Sequence, residues 1–187
     1  MKCIYFILFI CFSFSINASS DLSKDMLTIE NSTPNTFEIN YYMPISSAPE
    51  KVLDICFSYS HIKNYINDLV KMIIINDNGD SYTVQYQFKF LLYLNNTTYE
   101  KYYDRQENKV SFILKSFSQN LHIIPNLIAS YGYYDIIKNN NHLTLHYYES
   151  MTIDKEIKPK DLAFSKMQIT SYFKNMKKYI NKALSVL

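Results

Sequence analysis

Glycine is nearly missing from this chain: Gly79 and Gly132 are the only two among 187 residues. That scarcity excludes whole classes of site. A phosphate-cradling P-loop, a dinucleotide-binding fingerprint and a nucleophile elbow each need several glycines at fixed spacing. Cysteine is almost as sparse. Of the three, Cys3 and Cys11 lie in an apolar N-terminal run, which leaves Cys56 alone in the remainder. No intramolecular disulfide or cysteine-built metal site can form there, and a lone cysteine in an apolar helical stretch reads as a small buried hydrophobe. The four histidines, His61, His122, His142 and His146, show no zinc-type spacing. His142 borders a turn and His146 falls on the outward phase of its strand, so both read as surface residues. No catalytic residue, metal or cofactor is therefore assigned. A charge excess is missing as well, with 19 basic side chains against 17 acidic ones. A nucleic-acid-binding protein carries a basic patch that displaces counterions from phosphates, so no nucleic-acid partner is expected.

Tyrosine is what the chain has in plenty, 18 residues, with no Trp and a single arginine, Arg105. Asparagine is equally common, a usage that fits codon bias in an AT-rich genome. Asn139-Asn140-Asn141 accordingly reads as a turn rather than a site.

The N-terminus places Lys2 before an apolar run from Cys3 to Phe14, broken only at Ser13, and ends it with Asn17-Ala18-Ser19-Ser20. A short positive region, an apolar stretch and a small-residue exit describe a secretory signal peptide. The run is shorter than the roughly 18 residues of a membrane-spanning helix. Residues 1–18 are read as the signal, with an uncleaved anchor as the alternative, and the protein is expected to be exported, periplasmic or secreted. Residues 19–35 are polar and aperiodic and read as a linker. Residues 36–187 then form one domain, long enough for a single substantial core.

Within that domain Phe37, Ile39, Tyr41, Met43 and Ile45 alternate with polar residues, the period of a half-buried strand. Ser47, Pro49 and Glu50 supply a helix start, and a second short helix is expected over Ser60–Asn67. Strands follow at Leu69–Ile75 and Tyr82–Leu92, the two joined through an Asn-Gly turn. Further strands are expected at Thr98–Asp104 after a turn at Asn95-Asn96, at Val110–Ser116, at Ala129–Ile137 and at His142–Ile153. Residues 117–127 read as a loop or short helix. A long amphipathic helix closes the chain near Pro159–Ala183, with Leu162, Ile169, Phe173, Met176 and Ile180 on one stripe and lysines opposite.

Three segments carry a family resemblance. Ile45-Ser46-Ser47-Ala48-Pro49-Glu50-Lys51-Val52-Leu53-Asp54-Ile55 opens as strand, polar turn with proline, helix. Tyr59-Ser60-His61-Ile62-Lys63-Asn64-Tyr65 supplies an aromatic second helix. Gly132-Tyr133-Tyr134-Asp135-Ile136 resembles a late Gly-x-aromatic strand. In this order they resemble the START-like, or SRPBCC, superfamily of Bet v 1-like folds, which includes START lipid-transfer domains, polyketide cyclases and coenzyme Q-binding proteins.

The resemblance implies an α+β helix-grip fold: a curved antiparallel sheet of about seven strands around a long C-terminal helix, with two short helices after the first strand. It also implies a hydrophobic partner, a lipid or isoprenoid, held in an apolar cavity of a monomer. The inward set would be Tyr41, Tyr65, Tyr86, Phe88, Phe90, Phe112, Tyr134, Tyr147, Glu149, Phe173 and Met176. An inward carboxylate such as Glu149 needs a partner, a ligand group or a raised pKa; Arg105 is a candidate partner, and escape of one or both to the cavity mouth is the favoured alternative. A cyclase-like enzyme using the same cavity, and a module for protein or membrane-surface interaction with transient membrane contact, are the alternatives.

Overall fold

The computed structural model describes residues 24–46, 48–66, 69–90, 93–121, 125–139 and 142–185. The predicted signal peptide lies outside them, as do Ser47, His122 and the side chains of Phe90 and Leu162. The chain runs β1 (Met26–Thr33), β2 (Thr36–Ile45), α1 (Pro49–Phe57), α2 (Tyr59–Ile62), β3 (Leu69–Asp77), β4 (Ser81–Phe90), β5 (Tyr93–Asp104), β6 (Lys109–Gln119), β7 (Leu127–Asn139), β8 (His142–Ile153) and α3 (Pro159–Ser185).

The eight strands form one antiparallel sheet in the order β1-β2-β8-β7-β6-β5-β4-β3. β8 returns beside β2, while α1 and α2 carry the chain across to the far edge. Register shifts at Asn31/Thr33, Leu69/Lys71, Ile74/Asn76, Thr98/Tyr99 and Leu127/Ala129 mark bulges. An extra residue on one strand bends it and increases its twist, which curves the sheet around α3. Gly79, at φ +85, takes the left-handed position of the β3–β4 turn, where its N–H bonds to the Asp77 carboxylate.

α3 buries Phe173, Met176 and Ile180 at helical spacing and exposes Lys166, Thr170, Lys174 and Lys178, as its amphipathic pattern predicts. α1 buries Val52, Leu53, Ile55, Cys56 and Phe57 against the sheet. Cys56 is free and fully buried, the small hydrophobe expected of it.

Several expectations are corrected. The linker read at 19–35 contains a strand: β1 pairs with β2 from Met26↔Tyr42 to Thr33↔Thr36. Only Leu27 and Ile29 alternate there, too short a signal, and its partner across the turn makes the strand. The sheet thus has eight strands, and the short helices follow the second. Asn95 and Asn96 lie inside β5, opposite Phe88 and Gln87, not in a turn. Their amides are used locally: Gln87 donates to Asn96 at 2.9 Å and Thr97 to Asn95 at 3.4 Å. β6 runs on to Gln119, into the region read as loop or short helix, and α2 is a single turn. The α1 N-cap is Ala48, with no side-chain cap. His146, read as a surface residue, is buried on the outer face between Tyr42, stacked at 4.5 Å, and Tyr133. Its two ring nitrogens meet Asp135 at 3.0 Å and Asn40 at 3.2 Å.

Candidate functional site

Strand register sets two rows of side chains across the concave face. The first runs Tyr82, Lys101, Phe112, Gly132, Glu149, Ile39. The second runs Tyr103, Val110, Tyr134, Tyr147, Tyr41, Leu27. α3 lays Tyr172, Phe173 and Met176 over them, and Tyr65 reaches in beyond α2. Tyr41, Tyr65, Tyr86, Phe112, Tyr134, Tyr147, Glu149, Phe173 and Met176 are all buried, and Phe88 packs partly buried against them. These predicted inward residues are therefore gathered in one interior. Phe90 holds its place in β4, opposite Tyr93.

The rings touch in sequence. Tyr41 stacks on Phe173 at 4.1 Å, Phe173 meets Tyr147 edge-on at 5.0 Å, and Tyr147 lies 4.9 Å from Tyr134 and 5.8 Å from Phe112. Gly132 makes room for this packing. A Cβ there would sit 2.2 Å from the Tyr148 carbonyl oxygen and 2.5 Å from the Phe112 ring.

Ionisable groups run through the aromatic interior. Glu149 is buried and accepts from the Ser130 hydroxyl at 2.6 Å and from the Tyr147 phenol; Tyr99 in turn donates to Ser130 at 3.4 Å. β6 and β7 pair only from Lys109↔Asp135 to Ile113↔Tyr131, so the Tyr99–Ser130 bond links strands β5 and β7 where that ladder has ended. Burial raises the Glu149 carboxyl above its ordinary range, opposed by the Ser130 and Tyr147 bonds and by Lys101. The candidate partner Arg105 lies at the surface, the alternative in which it leaves the interior, and there it bridges Asp80 at 3.0 Å and Asp54 at 3.4 Å.

The interior cation is Lys101, which the sequence reading missed. Its ammonium is buried, donates to the Cys56 carbonyl at 3.3 Å and lies 5.9 Å from the Tyr134 ring centre. Burial pulls it down to about 8, with Cys56 and the Glu149 carboxylate opposing. Burial likewise pushes the Cys56 thiol up to about 12. Tyr82 donates to the Phe57 carbonyl, so two side chains of the sheet satisfy carbonyls in the last turn of α1. Tyrosines at 99 and 103 flank Lys101 at two-residue spacing, the one available signal that it faces inward; the adjacent Tyr102 hides it. The Tyr134 and Tyr172 hydroxyls bond each other at 2.8 Å, whereas the buried Tyr65 hydroxyl meets no hydrogen-bond partner among the described residues.

Two recesses reach the surface beside this interior. A polar cleft of about 460 Å³ lies between the α1–α2 junction and the β3–β4 turn, with Phe57, Tyr82, His61, Asp54 and Arg105 among its walls. A narrower slot of about 240 Å³ lies between the start of β1 and α3, over Tyr41 and Phe173.

No protein-family model matches the sequence, and no curated protein gives a significant match. Solved structures do match. The chain is similar to the Zhui aromatase/cyclase of Streptomyces sp. R1128, with TM-score 0.61 and 8% identity over 80% of this chain and 96% of that one. It is similar to a START superfamily protein of Mycobacterium smegmatis, with TM-score 0.57 and 9% identity over 79% and 97% of the two chains. It is also similar to a STAR-related lipid transfer protein of Xanthomonas axonopodis, with TM-score 0.55 and 8% identity over 83% and 98%. The fold is the α+β helix-grip fold that these structures share.

Proposed function

We propose that this chain is an exported protein that binds or carries a hydrophobic small molecule, a lipid or isoprenoid, between the concave sheet face and α3. One observation carries the reading: an aromatic interior that also buries Lys101, Glu149 and the Tyr65 hydroxyl. A core that only stabilises the fold gains little from buried polar groups, whose desolvation costs free energy even where they are hydrogen-bonded, as Lys101 and Glu149 are. A ligand site needs a few of them to orient its guest among apolar walls. The STAR-related lipid transfer protein of Xanthomonas axonopodis has the same fold, which supports the reading. Native mass spectrometry of the purified mature protein, followed by lipid extraction, tests it. A co-purifying hydrophobic molecule is expected; recovery of none, with no uptake of added lipid, refutes carriage. N-terminal sequencing of the exported form should begin after Ala18, and an intact N-terminus on a cytosolic protein would refute export.

A cyclase-like activity in the same interior is the second reading. It is favoured by a buried amine pulled down to about 8 and a buried carboxyl pushed upward in the same row of the concave face, the opposed shifts of an acid–base pair. Turnover of a polyketide-type substrate that is lost in Glu149→Gln would establish it, and unchanged turnover would remove Glu149 from it. The exposed lysines of α3 support transient contact with anionic membranes by a monomer. Liposome binding should then weaken as salt is raised, and salt-insensitive binding would exclude a surface-charge contact.

A further inference from the structure

The slot between β1 and α3 has an apolar floor of Leu27, Tyr41 and Phe173 and a rim of Asp25, Thr170, Lys174 and Lys177. An anion already sits at its head. The Asp25 carboxylate accepts from the Lys177 ammonium with both oxygens at 2.7 Å, and from the buried Tyr41 hydroxyl at 3.3 Å. Lys174 stands exposed one turn earlier on the same rim. Thr170 offers no donor, because its hydroxyl bonds the Lys166 carbonyl at 2.7 Å.

Asp25 is also easily given up. It precedes the edge strand β1, whose register begins at Met26↔Tyr42, so its side chain holds no place in the sheet. Its side chain is 35% exposed, and release returns the charge to water rather than stranding it in the interior. Beneath it the Tyr41–Phe173 stack leads to Tyr147, the start of the buried ring series. At about 240 Å³ the slot is smaller than the roughly 300–1,000 Å³ of a whole small-molecule site, which suits one end of a longer ligand.

We propose that this slot is the head-group subsite for a single-chain amphiphile ending in a carboxylate, of the fatty-acid class. The ligand carboxylate replaces Asp25 on Lys177 and Tyr41, with Lys174 beside it, and the alkyl chain runs over the Tyr41–Phe173 stack toward Tyr147. Asp25 is then a tethered competitor that holds the site in its ligand-free state. The inference rests on the ligand-binding reading above and adds the chemistry of the ligand's polar end. A carboxylate is the group the donors already hold, and a neutral head leaves the Asp25–Lys177 pair intact and gains nothing from it.

Calorimetric titration with dodecanoate and with dodecanol, below their aggregation limits and at low salt, tests the assignment. The wild type should prefer dodecanoate. Asp25→Asn removes the competitor and should tighten dodecanoate about two- to fivefold, the range of one exposed ion pair, with dodecanol unchanged. Lys177→Met should abolish the preference, with circular dichroism confirming that the variant is folded. Equal affinity of the wild type for both ligands overturns the proposal, as does weaker dodecanoate binding in a folded Asp25→Asn protein. The two levels separate cleanly. Binding of dodecanol without a carboxylate preference removes the head-group subsite alone, as does failure of both ligands with lipid still recovered on extraction; failure of both with no lipid recovered removes the carrier reading with it.

Discussion

Replacing Lys101 with methionine tests the electrostatics of the interior directly. Burial lowers the ammonium from its ordinary 10.5 to about 8. At about 1.4 kcal/mol per pH unit, this sets the cost of keeping Lys101 charged in the folded protein at about 3 kcal/mol. Methionine fills similar volume without charge, but leaves the Cys56 carbonyl without its donor, a loss of about 1–3 kcal/mol. At pH 7 Lys101→Met should therefore range from nearly neutral to about 2 kcal/mol more stable, by the two ranges just given. The pH dependence is sharper. Between about 8 and 10.5 the unfolded chain still holds the proton that the folded chain has released, so wild-type stability rises with pH through that window. The variant lacks this rise. Its stability relative to wild type should fall by about 2–3 kcal/mol between pH 7.5 and 10, reversing any advantage it holds at pH 7, by the slope above carried over that interval. Buried tyrosines titrate in both proteins and cancel in the difference. Urea unfolding followed by far-UV circular dichroism, in steps across that range, measures it. A difference that stays constant would show that the Lys101 ammonium is not desolvated, and the account of the interior would fail.

Three further outcomes follow from the same geometry. Gly132→Ala should destabilise the fold by about 1–3 kcal/mol or more in urea, because the new methyl meets the Tyr148 backbone of β8 at 2.2 Å as well as the Phe112 ring; a neutral result would contradict the close approach of β8 and the Phe112 ring to Gly132. The raised Glu149 carboxyl contributes stability that is full below pH 4.5 and lost as pH rises through its higher folded value. Glu149→Gln should remove that loss, leaving a flatter stability curve above pH 4.5 than the wild type, and identical slopes would refute the burial effect. Arg105→Gln should leave thermal stability nearly unchanged, since Arg105, Asp54 and Asp80 are all more than half exposed and water screens the pair. A larger loss of thermal stability would mean that the bridge holds α1 to the sheet.

The sequence by itself determined the alternation of β2 and β4, the amphipathic stripe of α3, the burial of Cys56 and the inward phase of Tyr134, Tyr147 and Glu149. In each case a run of apolar side chains long enough to show a period dictates which face turns inward. Tertiary structure decided the rest. β1 is a strand because β2 offers it a paired edge, although Leu27 and Ile29 alone make no pattern. Lys101 is interior because Tyr99 and Tyr103 hold their strand's phase and the end of α1 presents a carbonyl for its ammonium. Arg105 misses Glu149 because its strand ends at the surface, beside Asp80 and Asp54. Asp25 meets Lys177 across 152 positions of sequence, a pairing set only when α3 packs against the edge of the curved sheet. Local periodicity reports which way a side chain faces; the partner it finds there depends on which distant strand or helix is brought opposite.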